Sequence, residues 1–484
     1  MSGSASSWRT VPVDRRAKIL EARWQKLCAL YLPRAPKDGI WRHSEGGDRR
    51  EPSAGWKLHI SATILSAPVV LKRIAPLLIT RGTSFKAPRS LREVGKLNSG
   101  LDYRYSQIGK VITVYPRSDN EAVFLAQQLH KLTKRLNGPA VPFDFRFSDT
   151  SNVYYRFGAF AYLELARNGR QVPALYAPEG RLVPDIRERA KPDWVSDIFE
   201  THKPKLRSSR QTAVESIRVI KVLAQRGKGG VYVAIDLRSG SPRLCLLKEG
   251  RRHGEVTWDG RDGAWRVKNE ERVLSRLSSC GVPVPQVHSS FEMGGNYYLV
   301  MEYLDGETLH EKLLFRARRL AVTQVLDCGI QLAQFIVQIH SVGWTWRDCK
   351  PKNIIVTRDG RLVPIDFEGA APIRRPDHLR WGTPGFTTPA SRVRNVGNGV
   401  ADDLYALGSI LFLLLTGRVY DSTTALTIKK LRRNVPSNLC QLVESLLATN
   451  ADGKLTAEIA RATLTSICLG SKRERRRLAA GKAA

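Results

Sequence analysis

The stretch Trp346-Arg347-Asp348-Cys349-Lys350-Pro351-Lys352-Asn353, followed downstream by Ile365-Asp366-Phe367, decides how the C-terminal half of this chain is read. It sets a carboxylate, an ammonium, an amide and a second carboxylate at short intervals. Moving a phosphoryl group needs little covalent help from protein; it needs positioned oxygens and neutralised charge. In that chemistry Asp348 orients an acceptor hydroxyl or takes its proton, and Lys350 neutralises the transferring group. Asn353 and Asp366 hold magnesium against the phosphates.

Working outward, other elements fall in the matching order. Upstream lies Arg226-Gly227-Lys228-Gly229-Gly230-Val231-Tyr232, where Gly227, Gly229 and Gly230 would let backbone amides approach phosphate oxygens. The apolar run Leu244–Leu247 ends in Lys248, suited to the α/β-phosphates, and Glu270 sits in a helical pattern where it would pair with Lys248. Val300-Met301-Glu302-Tyr303 reads as a hinge whose backbone would meet the purine at Glu302 and Tyr303. Downstream, Gly382-Thr383-Pro384-Gly385-Phe386 and Asp403–Gly408 match an activation segment and a core helix. Single elements such as the glycine turn are common; the ordered set resembles a protein kinase. It departs from that pattern at Trp346 (histidine in most kinases), Glu368 (glycine) and Ala390 (glutamate), with Lys454 where a partner arginine is expected.

The 484 residues suggest two to four domains, and 42% hydrophobic residues supply large cores. The net charge of +33, from 78 basic and 45 acidic side chains, favours anionic partners or a solvated basic surface. No aromatic-basic interleaving marks a nucleic-acid platform, so nucleic acid is not expected. Seven cysteines without CxxC spacing fit a reducing, cytoplasmic setting rather than a zinc site or disulfide framework. The N-terminus has no apolar signal core and no membrane span is expected; Leu404–Leu415 reads as a buried helix.

The N-terminal half reads as α+β. Helices are expected over Arg15–Tyr31, Val69–Leu78 and Asn120–Leu136; strands over Trp56–Ile64, Lys110–Tyr115 and Asn152–Phe160. A polar loop spans about 36–54, and 171–194, rich in Pro, Gly and charge, reads as an extended linker. On the strand Gly55-Trp56-Lys57-Leu58-His59-Ile60-Ser61, Lys57 and His59 share one face while Trp56, Leu58 and Ile60 share the other. A cation beside a proton donor suits phosphate binding with general-acid help. Lys86, Lys110, Arg146 and Arg156 flank other short strands. The expected organisation is an N-terminal helix and polar loop at 1–50, an α+β domain at 51–200, a two-lobed domain at 212–468 (lobes 212–303 and 304–468) and an unstructured basic tail at 469–484.

The segments around Lys57 and His59, Ser84-Phe85-Lys86, Gly109–Pro116, Gly138 to Arg146 and Tyr154–Phe160, followed by a kinase with Asp366-Phe367-Glu368, resemble class III lanthipeptide synthetases over residues 50–465. The resemblance implies a phosphothreonine-lyase-like domain before the kinase. It implies ATP or GTP with Mg²⁺, and phosphorylation of Ser and Thr in a precursor peptide that also contains Cys. Elimination of phosphate would then leave dehydroalanine or dehydrobutyrine. It further implies that His59 protonates the leaving phosphate and Lys86 removes the α-proton, with Lys96 as a competing base. Lys57, Lys110, Arg146 and Arg156 would grip phosphate and Asp144 would orient one of these groups. The family normally continues into a cyclase, so a separate cyclase, or a linear product, is expected. Two other readings stand beside this one: a Ser/Thr protein kinase whose N-terminal domain only recruits substrate, and a nucleotide-binding scaffold.

Overall fold

A computed structural model describes residues 13–45, 52–160, 163–200, 216–238, 240–315, 319–375, 377, 379, 381–393, 399–424, 427–448 and 454–480. The chain divides into two compact units: Met1–Arg243 with Leu247–Trp265 and Phe291–Tyr298, and Leu244–Leu246 with Arg266–Ser290 and Leu299–Ala484.

In the first unit, helix α1 (Val13–Tyr31) buries Leu20, Trp24 and Cys28, three positions at intervals of four that form one stripe. A six-stranded sheet follows, in spatial order β1 (Trp41–His43), β3 (Ser84–Pro88), β4 (Ile112–Tyr115), β2 (Ala54–Ile60), β6 (Val153–Ala159), β5 (Phe145–Arg146). Helices α2 (Ala67–Arg81), α3 (Leu91–Ser99) and α4 (Asp119–Thr133) accompany it. The alternation in β2 divides its residues as the sequence implies. Trp56, Leu58 and Ile60 enter the core with Trp24, Leu71, Phe85 and Tyr155. Ser90 and Ser118 cap α3 and α4 by accepting the amides of Glu93 and Glu121.

Two expectations need correction. Residues 171–194 are not a bare linker. Strands β7 (Glu164–Arg167), β8 (Arg170–Tyr176) and β9 (Leu182–Pro184) form a three-stranded sheet, and the segment beyond it is tied to β6 by the Phe157 amide on Ala190 O at 2.8 Å. The last helix (Ala457–Ala480) extends well into the basic tail that was expected to be unstructured. The basic stretch 201–211 lies outside the described residues.

A five-stranded sheet runs β10 (Ile217–Arg226), β11 (Gly229–Asp236), β12 (Arg243–Gly250), β14 (Asn296–Glu302), β13 (Val287–Met293). Arg226 pairs with Gly229, so the glycine-rich segment is a tight hairpin turn. The Gly227 amide donates to Ser99 O at 2.9 Å, and a Cβ on Gly227 would lie 1.6 Å from Asn98 O. We expect Gly227→Ala to force this turn and the end of α3 apart, at a cost of roughly 1–3 kcal/mol. A lower melting temperature and faster amide exchange at 98–100 and 226–229 would show it; an unchanged melt would contradict it.

The second unit is largely helical. Helix α5 (Gly263–Ser279) has its greater part here, and α6 (Val322–Ser341) and α7 (Gly399–Thr416) are long and apolar enough to cross a bilayer by length and composition. In α7 nearly every residue from Asp402 to Leu415 is buried, and α6 buries one apolar stripe.

Candidate active sites

The face of the six-stranded sheet opposite the core carries the N-terminal constellation. Antiparallel partners point the same way, so pairing alone builds it. Arg146 pairs with Tyr154, Tyr154 with His59, His59 with Thr113, Thr113 with Lys86, and Lys86 with His43. Lys57 stands opposite Arg156. Two cations facing each other repel, and Asp185 offsets this through an ion pair with Arg156 at 2.6 Å. His59 Nδ1 meets Asp144 Oδ2 at 2.6 Å and Lys110 Nζ meets Asp144 Oδ1 at 2.8 Å. The ammonium of Lys57 lies 5.8 Å from the Tyr115 ring and 5.9 Å from Phe160; that of Lys86 lies 4.6 Å from Trp41 and 5.8 Å from Tyr115.

Burial controls the protonation states. It lowers Lys57 to about 7, with Arg156, Lys86 and Arg187 adding to the shift against Asp185. Burial and then Arg187 lower Lys86 to about 8. His59 falls to about 4, burial and its neighbouring lysines outweighing Asp144. Asp144 goes down to about 2: burial would raise it, but His59 and Lys110 prevail. At neutral pH, then, Asp144 is the anion, Nδ1 of His59 holds the hydrogen that Asp144 accepts, and Nε2 is bare.

Lys57, His59, Lys86, Lys110, Arg156 and Asp144 therefore share one face. Arg146 is at its rim, exposed, with Nε on Ser151 O at 2.8 Å and its guanidinium 5.5 Å from the Tyr154 ring. Lys96, the competing base, is on α3 in an ion pair with Glu93 at 2.8 Å. Sequence reasoning missed Arg187 and Asp185, both inside the supposed linker, and the aromatic faces of Trp41, Tyr115 and Phe160.

The second unit contains the decisive C-terminal segment. Asp348 accepts from Lys350 Nζ at 2.6 Å, Thr383 Oγ1 at 2.9 Å and Asn353 Nδ2 at 3.0 Å. Lys350 also donates to Thr383 at 2.9 Å. Burial, reinforced by Asp366, holds the Asp348 carboxyl above its usual range, against Lys350 and Thr383. The departures from the kinase pattern have structural equivalents. Trp346 is fully buried, stacks on Phe367 at 5.8 Å and donates from Nε1 to Asp366 O at 3.4 Å. Asp403 accepts the Trp346 and Arg347 amides at 2.9 and 2.7 Å. In place of the missing glutamate–arginine pair, Asp402 accepts from the Thr388 amide at 3.0 Å, the Thr388 hydroxyl at 2.8 Å and the Ser391 hydroxyl at 3.0 Å. Lys454 is exposed.

Of the positions expected to bind nucleotide, Gly227, Gly229, Gly230 and Lys248 belong to the first unit; Glu270, Glu302 and Tyr303 belong to the second. The Gly227 amide donates to Ser99 O at 2.9 Å. Lys248 is buried on β12. The Glu302 amide donates to Gln286 O at 2.8 Å. Glu270 accepts the Phe367 amide at 3.2 Å, and one oxygen each of Glu270, Asp366 and Glu368 lie within 4.8 Å of one another. The donors suit magnesium, which prefers hard oxygens. Asn353 commits its side-chain nitrogen to Asp348, which leaves its amide oxygen as the atom that could meet a cation.

The family model for the RamC N-terminal domain matches residues 33–211, and that for the protein kinase domain matches 227–466. The chain is 32% identical over 399 residues to the probable SapB synthase of Streptomyces coelicolor, covering 78% of this chain and 42% of that protein. The serine/threonine-protein kinase PknA of Nostoc sp. is 32% identical over 212 residues, 42% of this chain and 37% of that protein. The probable serine/threonine-protein kinase PknB of Lactococcus lactis is 28% identical over 227 residues, 46% of this chain and 35% of that protein. The chain thus spans less than half the length of each of these relatives. A stretch matching the RamC N-terminal domain is followed in one chain by a stretch matching the protein kinase domain, an arrangement consistent with the class III lanthipeptide synthetases that the sequence resembles.

Proposed function

We propose that the protein phosphorylates Ser and Thr of a precursor peptide and then eliminates the phosphate to give dehydroalanine or dehydrobutyrine. The observation that carries the second step is the buried His59–Asp144–Lys110 chain on the same sheet face as Lys57, Lys86 and Arg156. A module that only recruits substrate has no use for a carboxylate-oriented imidazole facing two amines held near neutrality.

In the first step Asp348 orients the peptide hydroxyl and receives its proton, while Lys350 offsets charge on the moving phosphoryl group. Asn353 and Asp366 would hold magnesium, which would supply charge neutralisation at the phosphates of ATP. In the second step Lys57, Lys110, Arg156 and Arg187 hold the phosphate dianion. Neutral Lys86 takes the α-hydrogen as a proton, the C–H electron pair becomes the new double bond, and the C–O bond to phosphate breaks. His59, protonated at Nε2, gives that proton to the departing oxygen. His59 and Lys86 lie across Thr113 in one row, about 10 Å apart at Cα for two strand spacings. That leaves room for the Cα–Cβ–O unit between their side chains. The dianion itself raises the affinity of His59 for its proton.

The test is a synthetic phosphoserine peptide incubated with the protein and no nucleotide. Conversion to dehydroalanine supports the reading; an unaltered peptide rejects it. The pH dependence carries its own sign. His59 at about 4 and Lys86 at about 8 must together hold one proton in the productive state. Elimination kcat/KM is therefore expected to fall above pH about 8, as the pair loses its last proton, and the acid limb to follow phosphate protonation near about 6. Arg187 depresses Lys86, so Arg187→Gln should move the alkaline limb upward. A limb that stays in place excludes Lys86 as the titrating group.

A further inference from the structure

We infer that Asp377 is a built-in activating anion. It positions the activation segment on Arg347, so that phosphotransfer at Asp348 requires no prior phosphorylation of that segment. The inference rests on the kinase reading above.

Two independent observations carry it. The first is in the sequence: from Gly369 to Gly382 the chain reads GAAPIRRPDHLRWG, without a single Ser, Thr or Tyr. The first hydroxyl beyond it, on Thr383, is already bonded to Asp348 and Lys350. The second is geometric. Arg347 directly precedes Asp348, and its side chain is only 3% exposed. Its Nη1 donates to Asp377 Oδ2 at 3.1 Å and to Gly369 O at 3.2 Å; its Nη2 donates to Leu379 O at 2.5 Å. One guanidinium thus ties the start and the middle of the segment to the catalytic loop. Asp377 is shaped for this role, since its other oxygen accepts the Leu379 amide at 3.1 Å.

A buried guanidinium needs an anion beside it. Where that anion is a phosphate added after synthesis, order in the segment depends on the modification. Here the carboxylate is encoded, on a side chain 11% exposed, and no phosphatase can remove it. The contacts of Asp377 and Leu379 with Arg347 are then set by the encoded sequence and not by a modification. Asp377 touches no reacting atom; it acts through Arg347 as a positioning residue.

The test compares full-length wild type, Asp377→Asn and Asp377→Glu on a peptide substrate with ATP and Mg²⁺. Asp377→Asn should lower kcat by roughly 10- to 100-fold, the loss expected from charge-assisted hydrogen bonds, with little change in KM for ATP. Asp377→Glu should recover most of the rate. Elimination from a synthetic phosphopeptide by Asp377→Asn should match wild type, which separates this effect from general unfolding. Phosphatase treatment of the wild type should leave its kinase rate unchanged. The inference is overturned if Asp377→Asn works at the wild-type rate, if Asp377→Glu fails to recover it, or if phosphatase treatment slows the wild type. A wild type that transfers no phosphate at all would sink the kinase reading and this inference with it; an active wild type beside an equally active Asp377→Asn sinks this inference alone.

Discussion

Asp348→Asn is expected to lower peptide phosphorylation by about 10²- to 10⁴-fold, the range spanned by positioned general bases, and to leave elimination from a ready-made phosphopeptide unchanged. The wild-type carboxylate accepts from Lys350, Thr383 and Asn353 at once. Asparagine keeps the shape but loses the charge, and turns an N–H toward donors that need an acceptor. Nothing then aligns the peptide hydroxyl or takes its proton. Asn353 and Asp366 stay in place, so the loss should appear in kcat while KM for ATP changes little. Single-turnover phosphate incorporation followed by mass spectrometry measures it. Transfer at the wild-type rate would mean that another group orients the hydroxyl, and the assignment of this segment would fail.

That prediction rests on a part of the molecule that is local in sequence. Asp348, Lys350 and Asn353 lie within one short loop, and their relative positions follow from chain geometry, so eight consecutive residues announce the site. The equivalents of the departures were not legible. Trp346 looked like a lost histidine, yet its indole N–H reaches the Asp366 carbonyl. Ala390 looked like a lost anchor, yet Asp402 restrains Thr388 and Ser391 instead. Both substitutes depend on which side chains the fold brings near, and motif spacing does not encode that. The N-terminal site was partly legible for the same reason. Period-two alternation placed Lys57 and His59 on one face, and that depends only on the strand. Asp144 joins His59 across 85 residues of sequence and Asp185 joins Arg156 across 29. Arg187 was hidden because composition made 171–194 look like a linker, while the Asp185–Arg156 pair brings that segment onto the site. Lys86 and Lys96 could be told apart only by the register that sets Lys86 beside Thr113 and the ion pair that occupies Lys96.

Removing the imidazole should have the opposite signature to removing Asp348. His59→Ala is expected to cut elimination by roughly 10²- to 10⁴-fold while phosphorylation continues, so phosphopeptide accumulates where wild type yields dehydrated product. Asp144→Asn should abolish elimination as well, and at greater cost to the fold. Asp144 has no exposed side-chain surface and stands between His59 and Lys110, itself almost fully buried. Taking the anion away leaves a desolvated ammonium without its partner, a change worth about 3–5 kcal/mol in buried pairs. The two variants therefore differ in a measurable way: both lack elimination, but only Asp144→Asn should lose thermal stability in the first unit. His59→Ala keeps the Lys110–Asp144 pair and tests chemistry alone. A phosphopeptide converted by His59→Ala at the wild-type rate would show that the leaving oxygen needs no proton from this residue. That sheet face would then be a phosphate-binding surface, and the chain a peptide kinase with a recruiting domain. Accumulated phosphopeptide, which an added wild-type enzyme then dehydrates without nucleotide, would place the phosphate ester between the two sites as a true intermediate.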